Sequence, residues 1–367
     1  MAFIHVIIPV YNAERYLRET VASVLSQPTT DIDIVLVNDG SSDGSAAICD
    51  ELAAQEKRIH VIHQKNAGVS AARNAGIEAV LQAGTTDGYI AFLDSDDFWC
   101  PNVFSEERIS EMKKDAPDVH GFSTLYVNAE GSRCRILSPY TSQKLVFPKK
   151  YQMQVLWTQG HFSAHLYHVR LFRENPIRFD VKCRQNEDVI FAAKILFCSR
   201  TIFLTDVFLY CYRKNRQSVT STAKYRPENA LEIPNAWYSA ADFADLCAEI
   251  PEQMHDRWVS FCRTTSSIRC IEMIRELAFG GYSYKTILRS FENQPYFASI
   301  CNLQPEDCAP WQRSDLERIK ADMPGFCRQS RRNGMVKVPL RRLLAALGLL
   351  DYLERKQFPL FLKDIIK

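Results

Sequence analysis

Tyr89-Ile-Ala-Phe-Leu-Asp94-Ser-Asp96-Asp97-Phe-Trp99 is the stretch on which the fold turns. An apolar run suited to a buried strand ends abruptly in three carboxylates, Asp94, Asp96 and Asp97. Carboxylates grouped at a strand end offer hard oxygen ligands to a divalent cation, and such a cation neutralises a diphosphate. An acidic loop after a strand is also an ordinary turn, so the flanking segments decide between the two.

Toward the N-terminus, residues 3–10 form a short β-branched run closed by Pro9, which predicts a buried strand. Asn12 is placed to cap a helix over residues 13–27, where Tyr16, Leu17, Val21, Val24 and Leu25 share one face. Residues 32–37 repeat the strand pattern and enter the turn-rich loop Asn38-Asp39-Gly40-Ser41-Ser42-Asp43-Gly44, followed by a helix over 45–55. A third strand over 59–63, the loop Asn66-Ala67-Gly68 and an Ala-rich helix over 69–82 precede the fourth strand, 89–93. This alternation predicts an α/β fold, a mostly parallel Rossmann-like sheet flanked by helices, whose ligands bind beyond the carboxyl ends of the strands. Every loop named lies at that rim. Tyr11 is suited to stack on a base, Asp39 to accept hydrogen bonds from a base or ribose, Arg73 to meet phosphate and the acidic trio to hold metal. Singly, each also has a structural reading, as turn, core or solvated helix residue; together they converge on one site.

Four segments, VIIPVYNAERYL (Val6 to Leu17), VLVNDGSSDGS (Val35 to Ser45), NAGVSAARNAG (Asn66 to Gly76) and FLDSDD (Phe92 to Asp97), resemble in sequence and order the motifs of family 2 glycosyltransferases. A fifth similarity lies near Glu187. The resemblance implies a GT-A fold and an inverting transferase that uses Mn or Mg and a nucleotide sugar, usually a UDP-sugar. It assigns Pro9, Tyr11 and Asp39 to the nucleotide base, and Asn66 and Arg73 to the base, ribose or phosphates. Asp94 would serve the ribose and nearby donor groups and take part with Asp96 in holding the cation. Glu14, Gly68 and Ser95 adjoin these positions and complete the expected donor-binding set. Asn38 stands where many members carry another Asp.

The base is sought further along. Asp188 opens an apolar helical run, 189–197, and a carboxylate in a first helical turn is favoured in its ionised form by the dipole and free N–H groups. The resemblance assigns Asp188 as the base that takes the acceptor proton, with Glu187 beside it. Between lie a polar helix within 97–114, a pair of strands over 121–137 around Glu130-Gly131 and a helix over 151–160. Tyr210 to Thr220 carries Arg213, Lys214, Arg216 and Ser218, and the reading places Arg213 and Arg216 in a basic lid over the diphosphate. His161, His165 and His168 are a loose cluster, read either as structural or as acceptor contacts. Gln253-Met-His-Asp-Arg257-Trp258 imitates the QxxRW signature of processive synthases but has one residue too many, which favours single addition.

Length and composition bound the rest. With 367 residues and 46% apolar content the chain buries a full core, read as a catalytic domain over 1–224, comprising a donor half (1–100) and an acceptor half (101–224), and a helical region over 225–367. The net charge of +2 carries no signature of a nucleic-acid partner. Twelve cysteines without a CxxC pair read as reduced thiols, and the absence of a secretory pattern or membrane span points to the cytoplasm. Residues 340–353 place Leu343, Leu344, Leu347, Leu350 and Leu353 near one face with Arg341, Arg342 and Arg355 close by. That pattern suits either an anionic membrane surface, where a lipid-linked saccharide acceptor would be met at the inner face of the cell membrane, or docking on the protein itself. The helical region also offers a surface for a homodimer.

Overall fold

A computed structural model describes residues 3–128, 133–138, 143–146, 162–184, 186–213, 226–227, 229–247, 252–308 and 310–346. The chain folds as two units, Met1–Thr222 with Phe243–Pro251, and Ala223–Asp242 with Glu252–Lys367.

The first unit is built on one mixed sheet. Strands β1 (Ile4–Val10), β2 (Ile32–Asp39), β3 (Ile59–Gln64) and β4 (Tyr89–Phe92) lie parallel in the order β3-β2-β1-β4. Helices α1 (Leu17–Leu25), α2 (Ser45–Gln55) and α3 (Val69–Gln82) connect them. The chain winds outward from β1 to β3 and then returns to place β4 on β1's other side. That reversal makes the carboxyl ends of β1 and β4 a topological switch point, where sheets of this kind bind ligands. Both faces of β1 are buried. Val6, Ile8 and Val10 pack with Leu17, Val21 and Val24 of α1, while Ile7 points the other way, toward α3. A Cβ on Gly76 would lie 2.4 Å from Ile7 Cγ2, so helix and strand approach as closely as they do because Gly76 has no side chain.

Beyond β4 the sheet turns mainly antiparallel. It continues through β9 (His165–His168), β6 (Val119–Val127), β10 (Thr201–Arg213) and the two-residue β5 (Phe98–Trp99). β7 (Arg133–Ser138) pairs with β6, and β8 (Gln143–Val146) with β10. The expected strand pair after residue 121 is β6 and β7, and the expected polar helix is α4 (Glu106–Asp115). The Glu130-Gly131 turn and the helix expected over 151–160 lie outside the described residues. Two short helices follow, α5 (Val169–Glu174) and α6 (Glu187–Cys198).

Three local expectations change. Pro9, assigned to the nucleotide base, lies inside β1, buried opposite Val37. Asn12 does not cap α1: at φ 51° its Oδ1 accepts the Ser42 N–H at 2.8 Å, and α1 starts at Leu17. His165 and His168 stand in a central strand, so burial assigns them to the core rather than to an acceptor surface. His168 caps α5 through the Arg170 N–H and pairs with Asp87 at 3.1 Å. His161 is outside the described residues.

The second unit is helical, with α7 (Glu232–Ala240), α8 (Glu252–Phe279), α9 (Tyr284–Phe291), α10 (Pro295–Ser299) and α11 (Pro310–Ala346), the last kinked at Asp322. The QxxRW look-alike falls within α8, where the buried Trp258 donates to the Ala240 carbonyl at 2.7 Å and is a packing residue. α11 takes in the first residues of the Leu-rich run; Leu347, Leu350, Leu353 and Arg355 lie outside the described residues. No helix among the described residues is long and apolar enough to cross a membrane. The eleven cysteines whose side chains are described are free thiols, most of them buried.

Candidate active site

The loops at the carboxyl ends of β1, β2 and β3 are tied to one another. Asn12 N–H donates to Ser41 Oγ at 3.1 Å, and Ala13 N–H to Ser45 Oγ at 2.8 Å. Glu14 accepts the Gly44 N–H at 2.8 Å, so its carboxylate clamps the β2 loop. Asp39, buried at the end of β2, accepts from Gln64 Nε2 at 2.7 Å, Ala67 N at 2.9 Å and Gly68 N at 2.8 Å. It thereby fixes the Asn66-Ala67-Gly68 loop, whose Gly68 takes φ 91°, a conformation open to glycine. Asn66 is exposed beside it, and Tyr11, immediately after β1, is 53% exposed. An aromatic ring and an amide standing free above a rigid rim suit a flat heterocycle.

The three aspartates after β4 divide into different roles. Asp97 is almost wholly buried and accepts from Tyr210 Oη at 2.5 Å and from Arg213 N at 2.6 Å. Burial, then Asp94 and Asp96, push its carboxyl well above the usual range. Asp97 is an anchor: with Thr20 Oγ1, which donates to the Ser95 and Asp97 carbonyls at 3.0 and 2.8 Å, it fixes the turn against β10 and α1. Ser95 thus takes part through its backbone. Asp94 turns the other way and accepts from Arg73 at 2.8 Å. Asp96 lies between them, and no side chain among the described residues bonds to its carboxylate. Burial, then Asp94, raise it to about 6.

Arg73 joins this turn to the second acidic group. Carried on α3 and only 4% exposed, it donates from one terminal nitrogen to Asp94 and from the other to Glu187 Oε1 at 3.2 Å. Its guanidinium lies over the rings of Phe162 and Phe179, with 4.6 and 5.2 Å to the centroids. Burial opposes the charge, but Asp94 and Glu187 keep the group protonated. Arg73, expected near the base, ribose or phosphates, here bridges two carboxylates. Glu187 and Asp188 form the first turn of α6, after Asn186 in the left-handed region at φ 62°. Burial and then Asp188 push Glu187 up to about 7. Asp188 Oδ1 accepts the Val189 N–H at 2.8 Å, and its second oxygen takes no hydrogen bond among the described residues.

Arg213 also departs from expectation. It ends β10, buried, with Nε donating to the Asp96 carbonyl at 2.9 Å and NH2 paired with Glu19 at 2.8 Å. Its side chain shapes the acidic turn rather than forming an exposed lid; Arg216 lies outside the described residues. Tyr210, Thr20, Phe162 and Phe179, which hold the site together, had no signal in spacing or charge.

Asp94, Asp96, Asp97, Glu187 and Asp188 outnumber Arg73 and Arg213; burial, and after it the neighbouring carboxylates, raises Asp96 and Glu187. The acidic turn consequently fits a divalent cation. No cluster of three His, Cys, Asp or Glu side chains that could hold a metal occurs among the described residues.

Residues 5–177 match the family described as glycosyl transferase family 2. The chain is 31% identical over 261 residues to the uncharacterized glycosyltransferase EpsJ of Bacillus subtilis (strain 168), covering 67% of this chain and 72% of that protein. It is 34% identical over 228 residues to the glycosyltransferase GlyA of Streptococcus pneumoniae serotype 4, covering 59% of this chain but 31% of GlyA. Residues 1–349 of S. aureus TarS, in complex with UDP-GlcNAc, share the fold with a TM-score of 0.64 at 17% identity, over 91% of each chain. The chain belongs to glycosyl transferase family 2 and is a glycosyltransferase of the GT-A fold.

Proposed function

We propose that the protein is an inverting transferase that moves one sugar from a UDP-sugar to a saccharide or lipid-linked saccharide acceptor in surface polysaccharide assembly. The observation that carries this reading is the Arg73 bridge, which ties the acidic donor turn at Asp94 to the carboxylate pair at the head of α6. Donor binding and proton removal then share one rigid frame. TarS, of similar fold, has been crystallised with UDP and with UDP-GlcNAc, which supports the UDP class.

In the reaction, the acceptor hydroxyl attacks the anomeric carbon in line with the departing nucleotide diphosphate, inverting the configuration. Glu187 is committed to Arg73, whereas Asp188 keeps one oxygen for the hydroxyl proton, so Asp188 is the base and Glu187 its neighbour. Tyr11 and Asn66 contact the base and ribose, with Pro9, Asp39 and Gly68 shaping the floor beneath them. Asp96, with Asp94 alongside, would hold Mn or Mg, which when bound stabilises charge on the diphosphate. We place the reaction in the cytoplasm at the inner face of the cell membrane, on the strength of the basic, Leu-rich run 340–353.

The test is a screen of UDP-sugars by thermal shift with and without Mn, followed by transfer assays with the stabilising donor. Stabilisation by uridine nucleotides supports the donor class; stabilisation by another nucleotide alone replaces it.

A further inference from the structure

Asn74, the neighbour of Arg73 on α3, has no part in the chemistry above, yet it makes two hydrogen bonds to one residue's backbone 105 positions away. Its Nδ2 donates to the Phe179 carbonyl at 3.0 Å, and its Oδ1 accepts the Phe179 N–H at 2.9 Å. The side-chain amide thus stands beside residue 179 as a neighbouring strand would. Phe179 in turn stacks on Phe191 of α6, with centroids 3.9 Å apart and planes 3° from parallel. Phe191 lies three residues after Asp188, on the same side of the helix. Direct contacts therefore run from Asn74 through Phe179 to Phe191, which the helix places one turn beyond Asp188. Further along α3, Glu78 pairs with Arg178 at 2.6 Å, and Lys194 of α6 donates to the Arg178 carbonyl at 3.3 Å. The segment leading into α6 is pinned by α3 from one side and by α6 from the other.

We propose that Asn74 is a positioning residue for the transfer reaction, holding the segment that precedes Asp188 in register with the donor turn through its paired bonds to the Phe179 backbone. This rests on the assignment of Asp188 as base. Among the described residues Asn74 makes no hydrogen bond to the acidic turn or to the rim of Tyr11, Asp39 and Asn66; Phe179 also lies against the Arg73 guanidinium, but Arg73 keeps its own bonds to Asp94 and Glu187, so the loss of Asn74 acts first on the segment before Asp188. Small displacements of a reacting group carry large rate penalties.

The experiment compares Asn74→Ala and Asn74→Asp with the unaltered protein, measuring UDP affinity by calorimetry, donor KM, kcat for transfer and melting temperature. In Asn74→Ala, kcat falls by about tenfold or more while UDP affinity and donor KM stay within about twofold. Asn74→Asp, which still accepts the Phe179 N–H but cannot donate to its carbonyl, falls between, and it carries the test alone if the alanine variant does not fold. A kcat within about twofold of the unaltered protein in the folded variants overturns the proposal, and so does a parallel loss of kcat and UDP affinity, the mark of a general structural defect. If the unaltered protein neither binds UDP nor releases it from a UDP-sugar, the transferase reading fails with it; if it turns over and the Asn74 variants match it, only the positioning role is lost.

Discussion

Arg73 sits in an aromatic setting where a lone charge would be costly, and it is kept there by carboxylates on either side. Arg73→Lys keeps the charge but replaces a planar fork with a point donor that cannot satisfy Asp94 and Glu187 together. It should lower stability by about 2 kcal/mol, read by urea denaturation, and reduce transfer even where folding is complete. Glu187 gives a pH signature. Its carboxyl moves from 4.5 to about 7 in the folded chain, so between those values the folded state binds more protons than the unfolded one. Stability contributed through Glu187 is therefore lost as pH rises from about 4.5 to about 7, by about 3 kcal/mol in all. Glu187→Gln should flatten that part of the profile in denaturation at pH 5 and pH 7.5; an unchanged slope would show that Glu187 does not titrate there. The positions of Asp94, Asp96, Glu187 and Asp188 were legible in sequence because acidic residues at a strand end and a helix start are local patterns. Their division of labour was not. Asp97 becomes an anchor only because Tyr210 and Arg213 arrive from 113 and 116 positions away.

Among the elements, α3 has the widest reach. Its start is held by Asp39, its middle by the Gly76 contact with Ile7, and its outer face by the pairs to Glu187, Phe179 and Arg178. Gly76→Ala would force a methyl to 2.4 Å from Ile7 Cγ2, so helix and strand must part. A loss of about 1–3 kcal/mol is expected by urea denaturation, accompanied by weaker transfer because the same helix carries Arg73. The bounds of α2 and α3 were read correctly from the turn-rich loops before them and, for α3, from its Ala content, because those signals are local. β9 was missed for the opposite reason. The four residues of β9 carry two histidines and look polar, and only pairing with β4 and β6 makes them a central strand. Asn12 misled in the same way: a residue suited to capping bonds instead to a loop 30 positions on.

For the molecule as a whole, the net charge of +2 conceals a concentrated acidic site. Such a site repels a diphosphate unless a cation enters with it. Chelation should accordingly abolish transfer, and Mn or Mg should restore it; full activity in excess chelator would exclude a role for Asp96 as a metal ligand. The parallel half of the sheet and its rim could be derived from alternation, and the helical C-terminal region from spacing. In the antiparallel half the β6–β7 pair was legible but the other pairings were not, because their partners are distant in sequence and follow no short period. The central claim is the divided site, with donor chemistry at the acidic turn and proton removal at α6. It is tested most directly by Asp188→Asn, with UDP affinity measured by calorimetry alongside the rate of sugar transfer. The account predicts UDP affinity within about twofold of the unaltered protein and a transfer rate lower by about 10²–10⁴-fold. Transfer at the unaltered rate would contradict it.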